Sequence, residues 1–261
     1  MVLAGRAYGA QIDRDREVLA RRSKVAGDRT TAIENGPNGS LHPLRLLRGW
    51  PMNETAWLKG TQPRRMLDHL QRTMPDHLQK QQFVNGKSRK MRLFCVASCR
   101  VYWDDLADGR SQKAVIKLEE AADGKITEVE LSSAEYEAKN VRHLCVFGLA
   151  ACAAAIGTPS NVIEYLLRQN TTKGRSKLGK LFQEVYGNPF EPVTLNHSWL
   201  TTTVQALANG IYEEKAFDRM PILADALHDA GCDNEDILNH CRQPGEHVRG
   251  CWVVDLLLAK G

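Results

Sequence analysis

From position 52 onward, apolar residues recur along most of this chain at three- and four-residue intervals, the spacing that places one buried stripe on an α-helix. The clearest stretch begins at Ser88: Met91, Phe94, Cys95, Ser98 and Tyr102, with Leu93, Ala97 and Val101 alongside, predict a helix ending near Asp108-Gly109. Trp57 and Leu58 fall on a short helix, and Pro63, suited to a first helical turn, opens another through Leu70. Ser111 to Ala122 predicts the next, and Thr127 with Glu130 forms a capping box that begins a further one. Its continuation has no polar face between Leu144 and Ile156, which predicts a central place in the core. A helix from Thr158-Pro159 to Gln169 follows, then one over Lys177 to Tyr186 that Gly187 stops. Helices over Thr202 to Lys215, Arg219 to Asp229 and Asn234 to Cys241 have cap residues at Thr201, Asp218 and Asp233, and a last helix is expected over His247 to Ala259. Lys125 to Leu131 is the only short alternating stretch, and the capping box accounts for it better than a strand does. The pattern predicts an all-α fold, an irregular multi-helix bundle of short antiparallel helices.

Composition changes this picture mainly at the N-terminus. Residues 1–51 hold nine Lys/Arg against five Asp/Glu and a turn-rich run, Asn35 to Ser40, with little to bury. This segment is expected to be disordered, or to precede a true start at Met52. Beyond it lie a helical domain over 52–186 and a C-terminal helical module over 187–261 packed on it. The formal charge of +4 comes entirely from the first 51 residues, so the predicted folded part is neutral and lacks the net field that draws a polyanion. Nucleic acid is therefore not an expected partner. Seven scattered cysteines without a secretory leader point to free thiols in the cytoplasm. The longest apolar run, Leu144 to Ile156, is too short to cross a bilayer, so no membrane association is expected.

Candidate chemistry gathers at the end of the chain, where Cys232, His240, Cys241, His247 and Cys251 fall within twenty positions. His247 and Cys251, four apart on the predicted last helix, would project from one face, and Cys232 and His240 bracket the helix before it. These four make a candidate zinc set. No pair of cysteines is spaced as a rigid half-site, so ordinary buried thiols and helix-capping histidines compete with the metal. Cys251 beside His247, near Arg242 and Arg249, could also be an activated nucleophile, but thiols inside apolar helices are usually inert. The third reading is a contact surface: the loop from Arg242 to Gly250 exposes Arg242, His247 and Arg249 toward a partner's carboxylate or phosphate.

Several segments have a familiar ring. Glu54, Trp57, Leu58 and Met66-Leu67, then Lys90 to Phe94, Cys99-Arg100, Trp103 and Asp108 to Ser111 resemble a family of uncharacterised planctomycete proteins. The closing motifs are the more specific: Gly187-Asn188-Pro189-Phe190, Ala216-Phe217-Asp218-Arg219, Leu223 to Leu227, Asp229 to Cys232, and His247-Val248-Arg249-Gly250-Cys251-Trp252. The resemblance spans Met52 to Gly261 and implies a domain beginning near Met52. It implies no activity, cofactor or partner. Where that family has adjacent cysteines before the arginine, this chain has Ser98-Cys99. Together these observations favour a non-enzymatic helical module that contacts another protein through Arg242, His247 and Arg249, with a zinc-stabilised domain as the alternative and a Cys251 enzyme as the least favoured.

Overall fold

A computed structural model describes residues 52–74, 87–101, 103–106, 108–139 and 172–260. All belong to one compact unit, Gly49–Gly261. The expectations for residues 1–51, for the alanine-rich run 144–156 and for the helix over 158–169 lie outside the described residues. Among those described there are ten α-helices, three short 3-10 turns and no strand. The helices are α1 (Glu54–Lys59), α2 (Pro63–Thr73), α3 (Arg89–Arg100), α4 (Gly109–Ala122), α5 (Glu128–Lys139), α6 (Thr172–Tyr186), α7 (Thr202–Glu214), α8 (Met220–Asp229), α9 (Glu235–Arg242) and α10 (Trp252–Leu257). None is long and apolar enough to cross a membrane. The fold is all-α, an irregular bundle of short helices.

Local sequence explains most of the helix ends. Thr127 and Glu130 make the reciprocal capping box at the start of α5, with the Thr127 amide donating to Glu130 at 2.8 Å. Thr201 caps α7 by accepting from the Val204 amide. Two caps sit one residue beyond their expected positions. Asn234, and not Asp233, accepts from the Ile237 amide to cap α9, while Arg219 precedes α8 without a side-chain cap because a 3-10 turn over Phe217–Arg219 leads straight into the helix. The helix expected to run from Ser88 almost to Gly109 stops at Arg100 and gives way to a 3-10 turn over Trp103–Asp105.

Among the described residues two large apolar clusters divide the unit near Gly187. The first is centred on α3, whose residues Met91 to Cys99 are all buried, and includes Trp57, Leu67, Leu178, Phe182 and Val185. The second gathers Trp199, Ile211, Tyr212, Leu223, Cys232, Ile237, Cys241, Cys251 and Val254. Helix α6 touches both halves, because it packs on α1, α2, α3 and also α10. Its approach to α1 is close enough to require glycine: a Cβ on Gly179 would lie 1.7 Å from the carbonyl oxygen of Gly60. Gln183 donates to the carbonyls of Trp57 and Leu58, and the Trp57 indole donates to the carbonyl of Gly187 at 2.9 Å. These bonds fix the rotation of α6 about its axis, and so fix where Glu184 points.

Candidate metal centre

Glu184 lies three residues after Leu181 on α6, within the arc that Leu178, Leu181, Phe182 and Val185 bury. Carboxylates are rarely buried unless partnered, and this one is 8% exposed. Its partners come from the far end of the chain. Helix α9 is short and strongly amphipathic, with Ile237, Leu238 and Cys241 buried, and its last turn carries His240 toward Glu184. The chain then turns at Pro244-Gly245 and returns with His247. Between His247 and α10 it makes a tight turn in which the Cys251 amide donates to the Val248 carbonyl at 2.9 Å, and Gly250 adopts a positive φ of 96° that a residue with a side chain would strain to reach. His247 and Cys251 are thus joined by a turn and do not share the helix expected over His247 to Ala259, which begins only at Trp252.

The result is a group of four side chains, Glu184, His240, His247 and Cys251, whose ligand atoms all lie within 4.8 Å of one another. His247 Nδ1 is 3.0 Å from Glu184 Oε1, His240 Nε2 is 3.4 Å from Glu184 Oε2, and His240 Nε2 is 3.2 Å from Cys251 Sγ. The Val248 amide donates to Glu184 Oε1 at 3.3 Å, which orients the carboxylate. Gln243 holds the outer nitrogen of His240 at 3.2 Å, and its amide offers oxygen or nitrogen by a flip. His247 Nε2 is buried with no hydrogen-bond partner. The two imidazoles, 10% and 5% exposed, contact edge to face at 5.0 Å, and Trp252 packs on His240 at 5.2 Å.

Tetrahedral zinc, with bonds of about 2.0–2.3 Å, separates its ligand atoms by roughly 3.4–3.8 Å. The three short contacts, 3.0, 3.2 and 3.4 Å, lie within a few tenths of an ångström of that spacing, and the remaining pairs, within 4.8 Å, must close further around an ion. The donor set fits as well: imidazole, thiolate and carboxylate suit zinc and its transition-metal neighbours, whereas magnesium and calcium require oxygen donors. One carboxylate and one thiolate would neutralise a divalent ion. Without such an ion burial keeps the imidazole of His240 and the thiol of Cys251 neutral. Burial pushes the His240 pKa down to about 4, against the pull of Glu184, and burial followed by the charge of Glu184 pushes the Cys251 thiol well above its ordinary range. A bound cation reverses the pressure on the thiol.

Three of the four metal candidates named from sequence therefore meet. Cys232 does not join them; it is buried in the second apolar cluster, and Glu184 takes the fourth place. The contact loop is corrected further. Arg249 is 10% exposed and not offered to a partner: its guanidinium lies 3.0 Å from Asp123 and 4.4 Å from the ring centre of Tyr212. His247 faces Glu184, so of the three contact residues only Arg242 is on the surface, beside the exposed Asp225 at 3.2 Å. Cys251 is fully buried with a raised pKa, the opposite of an activated nucleophile.

Glu184, His240 and His247 also line a cleft of about 840 Å³ between α1, α6 and α9, whereas Cys251 is not part of its lining. No protein-family model, curated protein or solved structure matches this chain. The resemblance to planctomycete proteins thus rests on the sequence motifs alone.

Proposed function

We propose that this chain is a metal-stabilised helical domain in which Glu184, His240, His247 and Cys251 hold one zinc ion as a structural clasp. The observation that carries this reading is the convergence of four ligand atoms of mixed nitrogen, sulfur and oxygen character within 4.8 Å. Four protein donors leave no coordination position for a substrate, the pattern of structural and not catalytic zinc. The position of the site in the fold supports the same role. Glu184 belongs to α6, which is built into the first apolar cluster, while the other three ligands come from the segment that forms the second. An ion here ties the two halves together beside a junction also held by packing and by the ion pairs of Arg89 with Asp255 and of Arg249 with Asp123.

The test is elemental analysis of the full chain, purified without an affinity tag and equilibrated with excess zinc before desalting. One equivalent is expected, and His240→Ala and Cys251→Ser should each lose it. Retention below about a tenth of an equivalent by the unaltered protein would remove the proposal. Cobalt(II) substitution adds a readout of geometry, since a tetrahedral site with a thiolate gives intense visible and near-ultraviolet bands that Cys251→Ser must abolish.

A further inference from the structure

Trp252 also lines a second hollow, of about 450 Å³, that none of the four proposed metal ligands reaches. Pro189, Pro192 and Leu256 share its apolar wall, and Lys90 and Lys260 are among its lining residues. The same lining carries Asp255, Glu191 and Asp236, and the two lysines adjoin a buried network of charges. Arg89, Lys90, Arg249 and Lys260 surround two buried carboxylates, Asp123 and Asp255, and both carboxylates are already engaged. Asp255 receives Arg89 through both oxygens, at 2.6 and 3.1 Å. Asp123 accepts from the Tyr212 hydroxyl and lies 3.3 Å from Arg89 and 3.0 Å from Arg249. The exposed Glu213, 3.6 Å from Arg249, is shared with Lys125.

Lys90 is left over. Its ammonium has no hydrogen bond or ion pair with any described residue, and Asp255, the carboxylate that attracts it, is spent on Arg89. It is half-buried, and burial holds its pKa below the ordinary lysine value, with attraction to Asp255 opposing. Lys260 is placed by a turn at the end of α10 in which Ala259 takes a positive φ of 50°, so that its ammonium rests 4.3 Å from the centre of the Tyr212 ring. It too has no carboxylate partner among the described residues. The other carboxylates lining the hollow, Glu191 and Asp236, are solvent-exposed, where water screens them. A desolvated ammonium without a counter-ion destabilises the fold, and a bound anion would relieve it.

We propose that this hollow binds a small organic anion, with its carboxylate or phosphate head between Lys90 and Lys260 and its apolar body against Trp252 and the two prolines. No residue of the metal cluster lines the hollow. Binding is therefore expected in both zinc-loaded and chelator-treated protein, provided both are folded, with Trp252, which packs on His240, as the link between the two sites.

The probes are benzoate, phenyl phosphate and inorganic phosphate, with benzyl alcohol as the uncharged control, added to the full chain and followed by calorimetry and Trp fluorescence. Saturable binding of benzoate or phenyl phosphate is expected, with no saturation by benzyl alcohol. Lys90→Met should weaken binding at least about tenfold. It should also leave the ligand-free protein as stable as before or more so, an outcome that a purely structural lysine would not give. Lys260→Met, farther from the core, provides a second variant with the same expected loss. The proposal is overturned if none of the three anions saturates by about 10 mM, or if both lysine variants bind as the unaltered protein does. Equal affinity for inorganic and phenyl phosphate would assign the hollow to a bare ion and overturn the organic ligand.

Discussion

Acid should loosen the metal-free protein through His240 before general acid unfolding begins. In the unfolded chain this imidazole takes a proton at about its ordinary value of 6.5, but in the folded protein burial delays protonation to about pH 4. The folded state is thus the poorer proton acceptor. Its contribution is complete above the unfolded value, falls as pH drops through the window from 6.5 to 4, and is lost below that. A gap of this size corresponds to about 3 kcal/mol, with a slope near 1.4 kcal/mol per pH unit inside the window. That is a large part of the roughly 5–15 kcal/mol typical of a domain. Urea unfolding followed by circular dichroism, at half-unit steps from pH 7.5 to 4.5 with chelator present, measures the slope. His240→Gln, which keeps a polar side chain but cannot titrate, isolates the contribution of this residue from those of other groups. A variant whose pH profile runs parallel to that of the unaltered protein would refute the reasoning, because burial of His240 would then have no bearing on proton uptake. Zinc at about one hundred times its dissociation constant should add about 2.7 kcal/mol at neutral pH and lose that gain on acidification, as protons compete for the ligands.

Two substitutions probe the framework that positions the site. Gly179→Ala places a methyl group 1.7 Å from the Gly60 carbonyl, so α1 and α6 must separate; a loss of about 3 kcal/mol or more is expected in chemical denaturation, and a change under about 1 kcal/mol would mean that the contact is soft. Asp255→Ala leaves the half-buried Arg89 with only Asp123 and the Tyr212 hydroxyl and should cost about 2–3 kcal/mol, with part of that loss recovered in the double variant carrying Arg89→Met; strictly additive losses would show that the pair is not coupled.

The helical character of the chain was legible because local rules decide it. The Thr127–Glu130 box, Thr201 and the apolar spacing of α3 act within one or two turns, and the structure follows them. The His247 to Cys251 segment was misread for an equally local reason. A four-residue spacing beside the apolar run of α10 imitates a helix, and Gly250, the residue that permits the turn, was the signal against it. The burial of Arg249 could not be anticipated in the same way, since its partner Asp123 precedes it by more than a hundred residues and no periodicity connects them. Glu184 left a fainter trace: an acidic residue within the apolar arc of α6, where burial requires a partner. A search confined to cysteine and histidine passes over it and selects Cys232, which satisfies the spacing but packs as an apolar residue.

The hairpin tip from Arg242 to Glu246 stands in solvent, while the chain on either side of it is anchored, by His240 before and by Cys251 and Arg249 after. Backbone here has little to lose from being opened. A protease nick at Pro244-Gly245 would leave two pieces gripped by the same contacts that held the intact chain. For the same reason the tip is the natural seam at which to insert a tag without disturbing the second hollow, whose lining it does not join.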